Sequence, residues 1–178
     1  NLRLAANKIN GTVLMPGQTF SYNKVVGNRT TAAGYKEAGT YVNGQIVDGV
    51  GGGICQITTT LYNAVLYANL DIVQRTNHQF IPSYSTASRD ATVVYGAIDF
   101  QFKNNREYPI KIYCSVSGGV AKCNIFGVKT ANDYEVQLTS RITSTTSNAI
   151  YSEAYKILKK NGTVVSTTLL SKDKYLRH

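Results

Sequence analysis

Three consecutive glycines, Gly51-Gly52-Gly53, run almost directly into the one stretch of sustained helical periodicity in this chain. From Cys55 to Asn69 the apolar residues Ile57, Leu61, Ala64, Val65 and Ala68 recur at i, i+4, i+7, i+8 and i+11. That is the stripe of an amphipathic helix. Upstream, Asp48-Gly49-Val50-Gly51-Gly52-Gly53 reads as irregular, because glycine loses the most conformational freedom on entering regular structure. Downstream the chain turns strand-rich. IVQRT, VVYGAIDFQF, Pro109–Cys114, YEVQLTSRIT, EAYKILKK and TVVSTTLL are dense in Val, Ile, Thr and Tyr, which suit a pleated, half-buried surface. Asn161-Gly162 reads as a hairpin turn between the last two, and Asn43-Gly44 as another within Tyr41–Val47.

One main helix among many short strands predicts an α+β fold. A mixed or antiparallel β-sheet packs on the helix that begins at Cys55, and the C-terminal part is β-rich. A short helix is expected over residues 1–10, with Leu2, Ala5, Ala6 and Ile9 on one face and Asn10-Gly11 as its stop. TVLM and TFSY read as short strands. The length of 178 residues suits a principal unit over 1–130 and a β-rich extension over 131–178 belonging to the same domain.

With 43% apolar and 16% charged residues, the chain is not disordered. No apolar run reaches the ~18 residues of a membrane span. NLRLAANKIN lacks a signal-peptide core, so any export signal or anchor is expected upstream, and membrane attachment only through a segment outside this sequence. The net charge of +9 is diffuse, with 12 basic and 6 acidic residues over 1–130 and 7 and 4 over 131–178. Lys156, Lys159 and Lys160 form the only tight cluster. Such an excess suits a polyanion such as the bacterial wall, or simple solubility. It lacks the concentrated stripe of a nucleic-acid binder, and no nucleic-acid partner is expected. Two histidines and three scattered cysteines offer no metal-ligand spacing, so neither metal nor cofactor is expected.

Cys114 and Cys123 flank SVSGGVAK. A two-residue turn at Gly118-Gly119 pairs Ser117 with Val120, Val116 with Ala121, Ser115 with Lys122 and Cys114 with Cys123. Counted from the turn, the cysteine pair is a close, non-hydrogen-bonded one. It is either a disulfide, implying an oxidising compartment, or two buried neighbouring thiols.

Cys55 is left over. At the start of a helix, unpaired N–H groups and the positive dipole end favour thiolate over thiol. Gly52, Gly53 and Cys55 are candidates to aim backbone N–H groups at an oxyanion, with Gln56 as a further donor. A structural cysteine at a tight turn is the bland alternative. A nucleophilic thiolate needs a base, and His78 is the only internal histidine. Asp90, Asp99 and Asn77 are the candidates for a third group. Arg89 could pair with an aspartate or grip a carboxylate in bidentate fashion.

These residues carry a resemblance. PGQTFSYNKVVGNRT, GGGICQITTTLYNAVLYANL, NHQF with His78, RDATVVYGAIDFQFKNN and the strands ending near Gly127 are similar to the VanW domain family, from Asn1 to about Phe126. The family usually has Gly before the Arg-Asp pair, where this chain has Ser88. Some members act as L,D-transpeptidases that form 3→3 peptidoglycan cross-links with a cysteine nucleophile. The resemblance implies Cys55 as nucleophile and His78 as base, while the third group stays open among Asp90, Asp99 and Asn77, with Asp90 placed first. It implies peptidoglycan stem peptides as partners, a donor tetrapeptide and an acceptor stem, with Arg89, Tyr84 and Tyr95 as candidates to hold their carboxylates. The expected location is the cell wall or outer membrane face of a Gram-positive bacterium. The alternatives are a wall-binding scaffold without chemistry and a cysteine peptidase of peptidoglycan.

Overall fold

The computed structural model describes residues 1–43 and 45–178. In chain order the elements are α1 (Leu2–Ile9), β1 (Val13–Leu14), β2 (Thr19–Ser21), α2 (Tyr22–Val26), β3 (Glu37–Val42), β4 (Gln45–Val50), α3 (Ile54–Tyr67) and β5 (Asp71–Gln74), then β6 (Gln101–Lys103), β7 (Ile110–Ser117), β8 (Val120–Gly127), β9 (Glu135–Thr145), β10 (Ala149–Lys160) and β11 (Thr163–Leu176). This is the α+β fold the sequence predicts. Its strands form small antiparallel sheets in place of one large one, in the orders β1-β7-β8, β2-β6-β5, β3-β4 and β11-β10-β9.

The core lies around α3. Its Ile57, Leu61, Val65 and Leu66 are buried and share one apolar cluster with Ala5, Ala6 and Ile9 of α1, Ile110, Ile112 and Cys114 of β7, and Phe20 and Phe102. Phe20 and Phe102 stack at 4.8 Å, and Phe100 meets Tyr62 edge-on at 5.7 Å, favourable geometries for aromatic pairs. Among the described residues no helix is long and apolar enough to cross a membrane.

The β7–β8 register is the one counted from Gly118-Gly119, including Cys114 opposite Cys123. Those cysteines are bonded, with their Cα atoms 4.3 Å apart. Asn161 and Gly162 both have positive φ, as a type I′ turn requires. On the earlier hairpin, Val42 pairs with Gln45, while Gly44 lies outside the described residues.

Several expectations are corrected. Asp48, Gly49 and Val50 belong to β4, because pairing with β3 supplies their backbone partners. Only Gln101–Lys103 of the VVYGAIDFQF region is a strand. Gly96 has φ +80 and turns the chain back so that Val94 bridges Ile98. The IVQRT strand stops at Gln74. The segment from Tyr22 to Val26 is helical, capped by the Ser21 hydroxyl, which accepts from Lys24 N at 3.3 Å, and by Asp99, which accepts from Asn23 N at 2.9 Å. The main helix starts at Ile54, one residue before Cys55.

Candidate active site

Cys55 sits in the first turn of α3, whose amides have no carbonyl four residues back. Two glycines make that placement possible. Gly53, which caps the helix, is left-handed at φ +91. A Cβ on Gly52 would lie 2.4 Å from the Ala38 carbonyl oxygen. The Asn1 side chain fixes the same turn by donating to the carbonyls of Gly52 (2.9 Å) and Lys36 (2.7 Å). The Gly52 N–H is itself committed to Gly49 O at 3.2 Å. The Gln56 N–H is likewise committed, to Gly53 O at 3.1 Å, so of the candidate oxyanion donors Gly52 is removed and Gly53 and Cys55 are left.

The segment from Arg89 to Val93 is laid along α3. Asn63 Nδ2 donates to Arg89 O (2.8 Å). Thr59 Oγ1 donates to Ala91 O (3.2 Å) and accepts from Ala91 N (3.1 Å). Cys55 Sγ lies 3.7 Å from Val93 O and 3.4 Å from Thr92 Oγ1. Residues 55, 59 and 63 thus face 93, 91 and 89. The match is metric. Four helical residues rise about 6 Å, and two extended residues span about 6.6 Å. Asp90, between two of these contacts, turns away from the helix toward His78.

Asp90 is fully buried, and its carboxylate is the hub of the site. His78 Nδ1 is 2.7 Å from Oδ2, and His78 N donates to the same oxygen at 2.8 Å. Tyr175 donates to Oδ1 at 2.5 Å, and Arg75 Nη2 lies 3.4 Å from it. Burial alone would raise the carboxyl. The bonds from His78 and Tyr175 and the Arg75 charge outweigh it and hold Asp90 below the ordinary aspartate value. The carboxylate assigns the proton of neutral His78 to Nδ1 and leaves Nε2 on the open side, 3.2 Å from Tyr84 Oη.

His78 and Cys55 shift each other. Burial pushes His78 down, but the bond to Asp90 and the influence of the nearby Cys55 sulfur prevail and lift it to about 9. Burial pushes the Cys55 thiol up, but the influence of nearby His78 and the hydrogen bonds with Thr92 and Val93 prevail and bring it below its ordinary value. Both shifts favour thiolate beside imidazolium over thiol beside neutral imidazole. Val93 O accepts the S–H when the sulfur is protonated, and Thr92 donates when it is not.

Asp99 and Asn77 are engaged elsewhere. Asp99 accepts from Ser21, Asn23, Phe100 and Gln101 at the start of α2. Asn77 donates to its neighbour His78 O and to Lys174 O. Beside the cysteine opens a polar groove of about 490 Å³ whose lining includes Gln56, Tyr84 and Arg89, but not Sγ itself. Tyr95 lies instead 5.8 Å from the Arg29 guanidinium. No group of three or more His, Cys, Asp or Glu among the described residues is arranged to hold a metal ion.

Sequence reasoning missed the groups that brace Asp90. Arg75 Nε donates to Asp90 O (2.8 Å), while its Nη1 holds Asp173 of β11 at 2.8 Å. Tyr175 accepts from Ser88 N (2.8 Å) while it donates to Asp90. Ser88 is left-handed at φ +64 and its hydroxyl meets Ser152 of β10 at 2.6 Å. The sequence signal was present in Asp173 and Tyr175, a polar pair inside a strand pattern, but their partners lie about ninety residues away.

A helix-borne cysteine, a histidine at its side and an aspartate behind that histidine make up the arrangement by which cysteine acyl-transfer centres are organised. The chain belongs to the VanW-like family, whose profile, described as VanW like protein, matches residues 1–126. It is 48% identical over 119 residues to the uncharacterized protein YoaR of Bacillus subtilis (strain 168), covering 67% of this chain and 39% of YoaR. It is 33% identical over 121 residues to the vancomycin B-type resistance protein VanW of Enterococcus faecalis (strain ATCC 700802 / V583), covering 65% of this chain and 44% of that protein. The chain thus spans less than half the length of these curated relatives. No solved structure matches it.

Proposed function

We propose that this chain is a cysteine L,D-transpeptidase that forms 3→3 cross-links between peptidoglycan stems. The observation that carries the reading is the His78–Asp90 pair, 2.7 Å apart, set near the helix-start Cys55 and a polar groove. Cys55 thiolate attacks the carbonyl of the third residue of a donor tetrapeptide stem. First-turn amides of α3 receive the oxyanion. As the C–N bond to the fourth residue breaks, His78 imidazolium protonates the departing amine. A thioester on Cys55 remains, with His78 neutral. The side-chain amine of an acceptor stem then attacks. The C–N bond forms, the C–S bond breaks, and His78 takes the amine proton, restoring thiolate and imidazolium. Asp90 keeps the imidazole oriented throughout.

The Cys114–Cys123 disulfide supports an oxidising, extracellular setting. The Enterococcus relative's name, a vancomycin resistance protein, supports a cell-wall role at the surface of a Gram-positive bacterium. Mass spectrometry of muropeptides after incubation with the protein tests the reading. It predicts 3→3 dimers that disappear with Cys55→Ala. Full activity in Cys55→Ala rules out this nucleophile, and cleaved stems without dimers replace the transferase with a peptidase.

A further inference from the structure

The groove beside Cys55 has one charged side chain in its wall. Arg89 lines it together with neutral groups, among them Gln56, Thr60, Asn63 and Thr86, and no carboxylate faces in. Arg89 is held in place. Its Nε donates to Asn63 Oδ1 at 2.8 Å, and Asn63 Nδ2 donates back to Arg89 O at 2.8 Å. The Arg89 guanidinium carbon lies 5.9 Å from the Tyr67 ring centroid. The reciprocal Asn63 bonds fix the direction of a planar, permanently charged fork, the geometry that suits a carboxylate. A volume of about 490 Å³ admits a short peptide.

The helix also sets a distance. Gln56, Thr59, Thr60 and Asn63 of α3 form one wall, so the groove runs along the helix away from Cys55. Asn63 is eight residues beyond Cys55, about 12 Å along an α-helix.

We propose that Arg89 is a recognition site for the side carboxylate of the donor stem, the one on the glutamate that precedes the attacked diamino acid, with the stem lying along α3. This rests on the transpeptidase reading for the identity of the peptide, while the binding it predicts can be read without turnover.

Calorimetric titration of soluble tetrapeptide stems into the Cys55→Ala protein is the test. One stem carries a free carboxylate on the glutamate before the diamino acid and the other an amide there. Adding Arg89→Gln is expected to weaken the free stem at least ~10-fold, as expected for loss of a charge-assisted hydrogen bond. The amide stem is expected to bind as weakly, and Arg89→Gln to weaken it no further. Matching circular dichroism and melting curves keep the comparison fair. Equal affinity with and without Arg89, or no binding of either stem, overturns the proposal. Arg89-dependent binding without 3→3 dimers in the turnover assay retains this site and discards the transpeptidase.

Discussion

Gly52 admits no side chain, because the atoms in the way are backbone oxygens of Ala38 and Gly39, 2.4 and 2.8 Å from the position of a Cβ. Gly52→Ala must therefore move the β3–β4 ribbon or the start of α3. A cost of about 1–3 kcal/mol is expected, read as a fall of several degrees in thermal midpoint. An unchanged midpoint would show that the turn is slack. Protonation can be resolved at the same scale. A raised His78 adds stability that is complete below its unfolded value near 6.5 and is lost as pH climbs to about 9. A lowered Cys55 has the opposite sign, adding stability above its unfolded value and losing it as pH falls through the folded one. The two oppose each other, so wild-type stability is expected to fall less steeply with rising pH than the His78 contribution alone would make it. Cys55→Ala removes the part of the His78 shift that Cys55 supplies and leaves the part that Asp90 supplies. Its midpoint should decline as pH rises above 6.5. A flat profile in that variant contradicts the pairing of His78 with Asp90.

Among the elements, β11 has the largest unrecognised part in the site. Tyr175 is fully buried and joins Ser88 N to Asp90 Oδ1. Tyr175→Phe keeps the ring but leaves Ser88 N unpaired and Asp90 Oδ1 with Arg75 alone, at about 1–3 kcal/mol. If Tyr175 positions Asp90, the variant also slows alkylation of Cys55 and alters its pH profile. A lower melting point with an unchanged profile assigns Tyr175 a structural role only. The elements also show what could be read from one sequence. The β7–β8 register followed from Gly118-Gly119 because a two-residue turn dictates it locally. The Cys55 helix followed from its stripe. The strand expected from Val93 failed because Gly96 bends the chain after only three residues, and a run of β-favouring residues does not report a turn within it. Cys55 and His78 were legible as a helix-start thiol and a sole interior imidazole, whereas Asp90 shared its signal, an acid among apolar residues, with Asp99. Arg75, Asp173, Tyr175 and Thr92 were not legible, because their roles exist only once distant segments meet.

In the whole molecule, residues beyond the family-matched region complete the site. The profile ends at residue 126, yet Asp173, Tyr175 and Ser152 all bond to the loop that carries Asp90 or to its Arg75 brace. On the opposite flank the β7–β8 tip, Gly119–Ala121, closes the groove and is anchored by Cys114–Cys123. A cross-link over so short a loop stabilises by about 2–3 kcal/mol through the unfolded chain. Cys114→Ala/Cys123→Ala should melt several degrees below wild type, and equal midpoints would deny the bond a stabilising role.

The relay of thiolate, imidazolium and carboxylate is most directly tested by the rate at which iodoacetamide alkylates Cys55 between pH 5 and 10, in wild type and in His78→Gln. Fast alkylation at pH 6–7, where ordinary thiols react slowly, and its loss in His78→Gln are the predicted results. A wild-type rate that climbs only near the ordinary thiol range and is indifferent to His78 contradicts the pairing.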